Sequence, residues 1–211
     1  MTPHSKTSLP KGQTRLGIFL EFLGLAAILI AVPLIVRVDL VVLDTRLGEQ
    51  SITEYLHSAA LGVSCLLFLL GARQYPERRG YLVLLACFLL ILFIRESDAL
   101  LDKIEHGFWK YPALVVLIAA GWLARVYRKT IRIPFLDHFE ARSFAYFLTG
   151  LFIVIFFSRL FGSSVFLKDA LGENYSSWTK TIIQESTELL GYLIMLFGAF
   201  LSYLHDFTVR R

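Results

Sequence analysis

The sequence predicts an all-α, polytopic transmembrane helical bundle of six spans, with the N and C termini both cytoplasmic. Three observations carry that expectation. Apolar residues make up 56% of the 211 positions, more than a soluble core of that size absorbs. They gather into runs of about 20 residues, the length that crosses ~30 Å of hydrocarbon. The charges between the runs sort by sign. The 18 phenylalanines against two methionines fit lipid-facing helices better than an adaptable peptide groove.

Residues 1–14 carry proline, serine, threonine and lysine without a hydrophobic period, and read as a cytoplasmic tail. The first helix is expected over 16–36 (LGIFLEFLGLAAILIAVPLIV), with Pro33 near its far end, where a kink is tolerable. It is long for a signal-peptide core and no small-residue cleavage site follows it, so it reads as a retained helix. Glu21 sits inside its near end, placed to pair with a basic residue at the interface. After the polar link RVDLVVLDTRLGEQS, a second apolar run covers 52–72; the turn-like RQYPERRG leads into a third, 80–102, so that the two form an antiparallel hairpin. Further runs follow at 111–127, 143–161 and 179–204, and residues 207–211 form a second cytoplasmic tail. The links leave no room for a soluble domain. One of them, VYRKTIRIPFLDHFEARS, reads as a short basic segment lying along the headgroups.

Orientation follows from the positive-inside rule. Arg73, Arg78, Arg79, Arg125, Arg128, Lys129, Arg132 and Arg142 fall on one side, with Lys6, Lys11, Arg210 and Arg211 in the tails. Asp39, Asp44, Glu49, Glu54, Asp98 and Glu188 are among the acids on the other. The formal charge of +4 therefore reports topology, and no nucleic-acid partner is expected. Short loops point to a multi-pass protein of a bacterial inner membrane. Cys65 and Cys87 both lie inside apolar runs and predict no disulfide.

The candidate site comes from charges that the topology brings to one depth. The run YLVLLACFLLILFI spans only about 21 Å at the helical rise, so the third helix must continue into RESDALLD. That places Arg95, Glu96 and Asp98 at the outer leaflet, where an unpaired charge costs several kcal/mol. At 100° per residue Arg95, Asp98 and Asp102 share one face, His106 returns to it, and Glu96 points elsewhere. Glu54 and His57 open the second run, Arg159 closes the fifth, and Glu185 and Glu188 share a stripe of the sixth with Thr181 and Tyr192. Ionisable groups in spans usually face the bundle interior or a water-filled cavity.

Arg95, Glu96, Asp98 and Arg159 are thus candidate ligand-binding residues. Glu54, His57, Asp102, His106, Glu185 and Glu188 are candidate metal ligands, because each pair sits one helical turn apart and offers two donors from one face. The only cofactor this implies is a divalent cation. Glu54, His57, Glu185 and Glu188 are also the candidate catalytic acids and bases. Against these stands an ion-pair reading, in which Arg95 and Arg159 neutralise Asp98, Glu185 and Glu188 and only fix helix packing. Glu54, Asp102 and His106 would then be ordinary helix-end residues in the wet headgroup layer.

The function expected first is an outward-facing carboxylate, histidine and arginine pocket that binds a cation or a polar or lipid headgroup. Alternatives are a membrane-embedded enzyme acting on a lipid-borne substrate, a transporter, and a non-catalytic assembly subunit. Partners would be membrane lipids, a second copy of the chain or another membrane protein. No phosphate-binding loop, H-E-x-x-H zinc helix or G-x-S-x-G nucleophile elbow is present, which argues against an ATP-driven motor or a familiar hydrolase.

Overall fold

The computed structural model describes residues 15–206, and among them every regular element is helical. The two tails, with Lys6, Lys11, Arg210 and Arg211, lie outside the described residues. Helix α1 (Arg15–Arg37) runs on through a π-helical turn (Val38–Val42). That turn carries the buried Asp39, whose carboxylate accepts the Ile52 and Thr53 backbone N–H groups at 2.8 and 2.9 Å and the Thr53 hydroxyl at 2.7 Å. Ser51 accepts the Glu54 N–H at 3.2 Å. Asp39 and Ser51 together satisfy the orphan donors at the start of α2 (Ile52–Gln74) and latch it to α1.

Pro76 follows α2 closely and turns the chain into α3 (Arg79–Glu96). The third helix was expected to run unbroken to residue 102, but it stops at Ser97. The Ser97 hydroxyl donates to the Phe93 carbonyl at 2.9 Å, and a separate turn, α4 (Asp98–Leu101), follows. Serine competes for backbone hydrogen bonds in this way at helix ends. Next come α5 (Lys110–Val126) and α6 (Arg132–Phe139). Helix α7 (Arg142–Phe152), a π turn (Ile153–Phe157) and α8 (Ser158–Phe161) then form one rod. Helix α9 (Ser164–Leu171), in a stretch read as a loop from sequence, leads to the long α10 (Ser177–Leu201).

Four helical stretches are long and apolar enough to cross a membrane: Arg15–Val42, Ile52–Gln74, Arg142–Phe161 and Ser177–His205. Helices α3 and α5 are shorter, at 18 and 17 residues. Helix α10 occupies the centre and packs on α1, α2 and α7, while α3 packs on α2 and α5. The α7 contact is close because three glycines lie in it. A Cβ on Gly150 would stand 2.5 Å from the Met195 backbone nitrogen, and one on Gly198 would stand 2.8 Å from the Phe147 Cα. A Cβ on Gly191 would meet Val154 at 2.6 Å. Small residues let helix backbones approach in this way. The buried core between the helices is led by Leu61, Phe68, Leu82, Leu89, Phe147 and Met195. Outward faces are also apolar: Phe19, Ile30, Val115, Ile118 and Leu160 are all exposed, a surface suited to lipid and not to water.

One end of the bundle is closed by buried polar contacts. Glu21 pairs with Arg142 at 3.3 Å, as its position in the sequence had suggested, and accepts from Tyr146 at 3.5 Å. Beside them the buried His138 of α6 bridges α3 and the end of α10. Its Nδ1 lies 2.8 Å from the Tyr81 hydroxyl and its Nε2 2.7 Å from the Ser202 hydroxyl. Ser202 spends its own proton on the Gly198 carbonyl at 2.8 Å. The imidazole Nε2–H therefore donates to Ser202, and Nδ1 accepts from Tyr81. This neutral tautomer satisfies both nitrogens. Burial, reinforced by the nearby Arg78 guanidinium, pushes the His138 pKa down to about 4.

Candidate functional site

At the opposite end, the start of α2, the end of α3, the end of the α7–α8 rod and the first half of α10 converge on a polar cavity of about 410 Å³. Glu54 lies in the first turn of α2, held by the Asp39 and Ser51 cap. His57 follows one turn later and is fully buried; its Nδ1 lies 3.1 Å from Glu96 Oε1 and 4.0 Å from Glu54 Oε2. Glu96 is the last residue of α3 and is almost buried. Its other oxygen accepts the Tyr192 hydroxyl at 2.8 Å and lies 3.5 Å from the half-exposed Arg95 guanidinium.

Helix α10 supplies the second pair of carboxyls. Glu188 is 97% withdrawn from solvent and meets Arg159 at 3.2 Å, Ser158 at 3.3 Å and Gln184 at 3.1 Å. Glu185 hydrogen-bonds across to Glu54. Two carboxyl groups paired in this way share one proton or one cation, since two bare carboxylates repel. Asp98 lines the same cavity and makes no ion pair among the described residues.

The charges do not balance. Six carboxyl groups, Glu49, Glu54, Glu96, Asp98, Glu185 and Glu188, line the cavity against three cations, Lys103, Arg95 and Arg159, the two guanidiniums each about two-fifths exposed. Burying uncompensated charge is costly, so the cluster can take up added positive charge, as protons or as a cation. One donor atom from each of Glu54, His57 and Glu96 lies within 4.8 Å of the others, a spacing that could hold a metal ion. Ligands of a bound divalent ion stand roughly 3 to 3.5 Å apart, a small contraction of this arrangement. His57 Nε2, on the far edge of the same ring, is buried and has no hydrogen-bond partner among the described residues.

The sequence-derived candidates divide into two groups. Glu54, His57, Arg95, Glu96, Asp98, Arg159, Glu185 and Glu188 all border the cavity or contact a residue that does. Asp102 and His106 do not. They pair with each other at 2.9 Å on the surface, where the Gly107 N–H also caps Asp102 at 2.8 Å. The break at Ser97 separates them from the face of α3 that carries Arg95. Glu96, read as pointing away, is instead central, because α3 presents that face to α2 and α10.

Three participants were not singled out from sequence. Ser158 and Gln184 support Glu188, and Asp39 orients the start of α2. Asp39 lies 13 residues before the first backbone N–H it caps, too far for a local capping pattern to show. Comparison with protein-family models, curated proteins and solved structures returned no match.

Proposed function

We propose that this chain is a six-span membrane protein whose outward-facing pocket binds a divalent cation, or the cationic part of a polar or lipid headgroup, through Glu54, His57, Glu96, Glu185 and Glu188. The observation that carries the reading is the excess of six carboxyl groups over three cationic side chains, Arg95, Lys103 and Arg159, around an open cavity. An ion-pair network that served packing alone would be expected to balance its charges. Arg95 and Arg159 stand at the rim, where they neutralise part of the charge and offer contacts to an anion that accompanies the cation.

The six spans count α3 and α5 with the four longer stretches. Helix α3 reaches about 27 Å and α5 about 25 Å at the helical rise, and each spans a slightly thinned bilayer. Arg73, Arg78, Arg79, Arg125, Arg128, Lys129, Arg132 and Arg142 lie at the His138 end, so the positive-inside rule sets that end in the cytoplasm and the pocket outside. A bacterial inner membrane fits the short links between helices.

The test is calorimetric titration of the purified protein with Mn²⁺, Ca²⁺ and Mg²⁺, alongside the Glu54→Gln and Glu185→Gln variants. Saturable binding of at least one ion, weakened tenfold or more by either substitution, is expected. Heats no larger than buffer dilution for every ion would remove the cation reading and leave a packing role for the cluster.

A further inference from the structure

The cytoplasmic link between α5 and α6 carries a second feature that the pocket does not use. Arg125, Arg128, Lys129 and Arg132 are all exposed and make no ion pair among the described residues. The neighbouring Arg78, by contrast, is buried and paired with Asp137 at 3.7 Å. Arg125, Arg128 and Lys129 border an open depression of about 540 Å³ that also includes Tyr127 and Thr130. Glu140, at the far end of α6, is the exposed acid of this stretch.

The turn that presents these cations is pinned to α3. The Gly80 N–H donates to Thr130 Oγ1 at 2.9 Å, and that hydroxyl donates to the Tyr127 carbonyl at 3.0 Å. A Cβ on Gly80 would stand 2.6 Å from the same carbonyl, so the fit requires glycine. The cations are therefore set on a fixed support.

Helix α6 has the inverted pattern of a lipid-embedded segment. Its polar His138 is buried, while Ile133, Phe135, Leu136 and Phe139 are exposed. In water that pattern would be unfavourable; at the boundary between acyl chains and headgroups it is satisfied. Apolar side chains entering the leaflet beside unpaired cations match one chemistry, a fatty-acyl tail joined to an anionic headgroup.

We infer that Arg125, Arg128, Lys129 and Arg132, together with the exposed face of α6, form a binding site for an anionic phospholipid of the leaflet at that end of the bundle. The site is separate from the carboxylate pocket and does not depend on what the pocket binds.

Trp122, exposed one turn before Arg125, is a reporter built into the site. The other two tryptophans, Trp109 and Trp178, are replaced by phenylalanine. The protein is then reconstituted in bilayers that mix brominated phosphatidylglycerol with phosphatidylcholine, or brominated phosphatidylcholine with phosphatidylglycerol. Quenching of Trp122 by the two brominated lipids gives their relative affinity. An anionic preference of about five- to tenfold is expected from several surface cations at moderate salt, falling as salt is raised. Replacing Arg125, Arg128, Lys129 and Arg132 by glutamine should bring the ratio to about one while quenching in pure brominated phosphatidylcholine stays unchanged. Equal quenching by both lipids in the unmodified site would overturn the proposal, as would a preference insensitive to salt or to the glutamine substitutions. If the fourfold variant does not fold, the salt dependence and the Arg128→Gln, Lys129→Gln double variant decide.

Discussion

Acidification should weaken the protein through His138, and the sign and size follow from its contacts. The fold holds this imidazole neutral, with Nε2–H given to Ser202 and Nδ1 accepting from Tyr81. A second ring proton would point at the Tyr81 hydroxyl and leave that hydroxyl to seek another acceptor. The folded pKa is about 4 against 6.5 for the free side chain, so between those values the unfolded chain takes up a proton that the fold refuses. Stability therefore rises with pH across the window, is fully present above about 6.5, and is lost as pH falls toward about 4. At 1.36 kcal/mol per unit the gap corresponds to about 3 kcal/mol.

The assay is unfolding by sodium dodecyl sulfate in mixed micelles at a series of pH values, comparing wild type with His138→Gln. Glutamine keeps one donor and one acceptor but does not titrate. It should cost about 1 kcal/mol at neutral pH for imperfect hydrogen bonds. Wild type should lose its advantage on acidification, and the two curves should cross before pH 4. Parallel curves from neutral pH to pH 4 would show that His138 is not held neutral by the fold, and the reasoning would fail.

Other substitutions probe the remaining contacts. Gly150→Ala must separate α7 from α10 and should destabilise by about 2 kcal/mol or more, read in the same denaturation assay. Asp39→Ala removes the acceptor of two N–H groups and of the Thr53 and Thr45 hydroxyls, and a loss of about 2 to 3 kcal/mol is expected, with faster hydrogen exchange at the first turn of α2 and the loop before it. Tyr192→Phe strips Glu96 of a hydroxyl at 2.8 Å and should cost about 1 to 2 kcal/mol. Arg159→Gln leaves Glu188 partly uncompensated; because Arg159 is 42% exposed, the cost should be about 1 to 2 kcal/mol, below that of a fully buried pair. In a double-mutant cycle with Glu188→Gln most of that loss should disappear, and simple additivity would show that the pair is not coupled.

The long apolar runs were legible because hydropathy over about 20 residues is a strong signal. Helices near 16–36, 52–72, 143–161 and 179–204 are present with ends shifted by a few residues. The break at Ser97 was not legible, since a serine at a helix end and one in mid-helix look alike in sequence. That single break moves Asp102 and His106 off the face that was drawn for them. The convergence of Glu54, His57, Arg95, Arg159, Glu185 and Glu188 could be read from depth alone, because each sits at the same end of its run. Which face of α3 meets α2 could not, so the contacts of Glu96 with His57 and Tyr192 were not legible, although Glu96 itself was among the candidates. The Gly150 approach was not legible for the same reason: the backbone it meets, at Gly191 and Met195, lies on another helix. Asp39 acts across a loop whose path the sequence does not encode in any periodic way.

The central claim is that the carboxylate pocket holds a cation, and anomalous diffraction from crystals grown with Mn²⁺ tests it most directly. The account predicts a manganese peak about 2.1 to 2.4 Å from carboxylate oxygens of Glu54 and Glu96, lost in the Glu54→Gln variant. A well-ordered pocket without such a peak, with each carboxyl satisfied by protein donors alone, would contradict it.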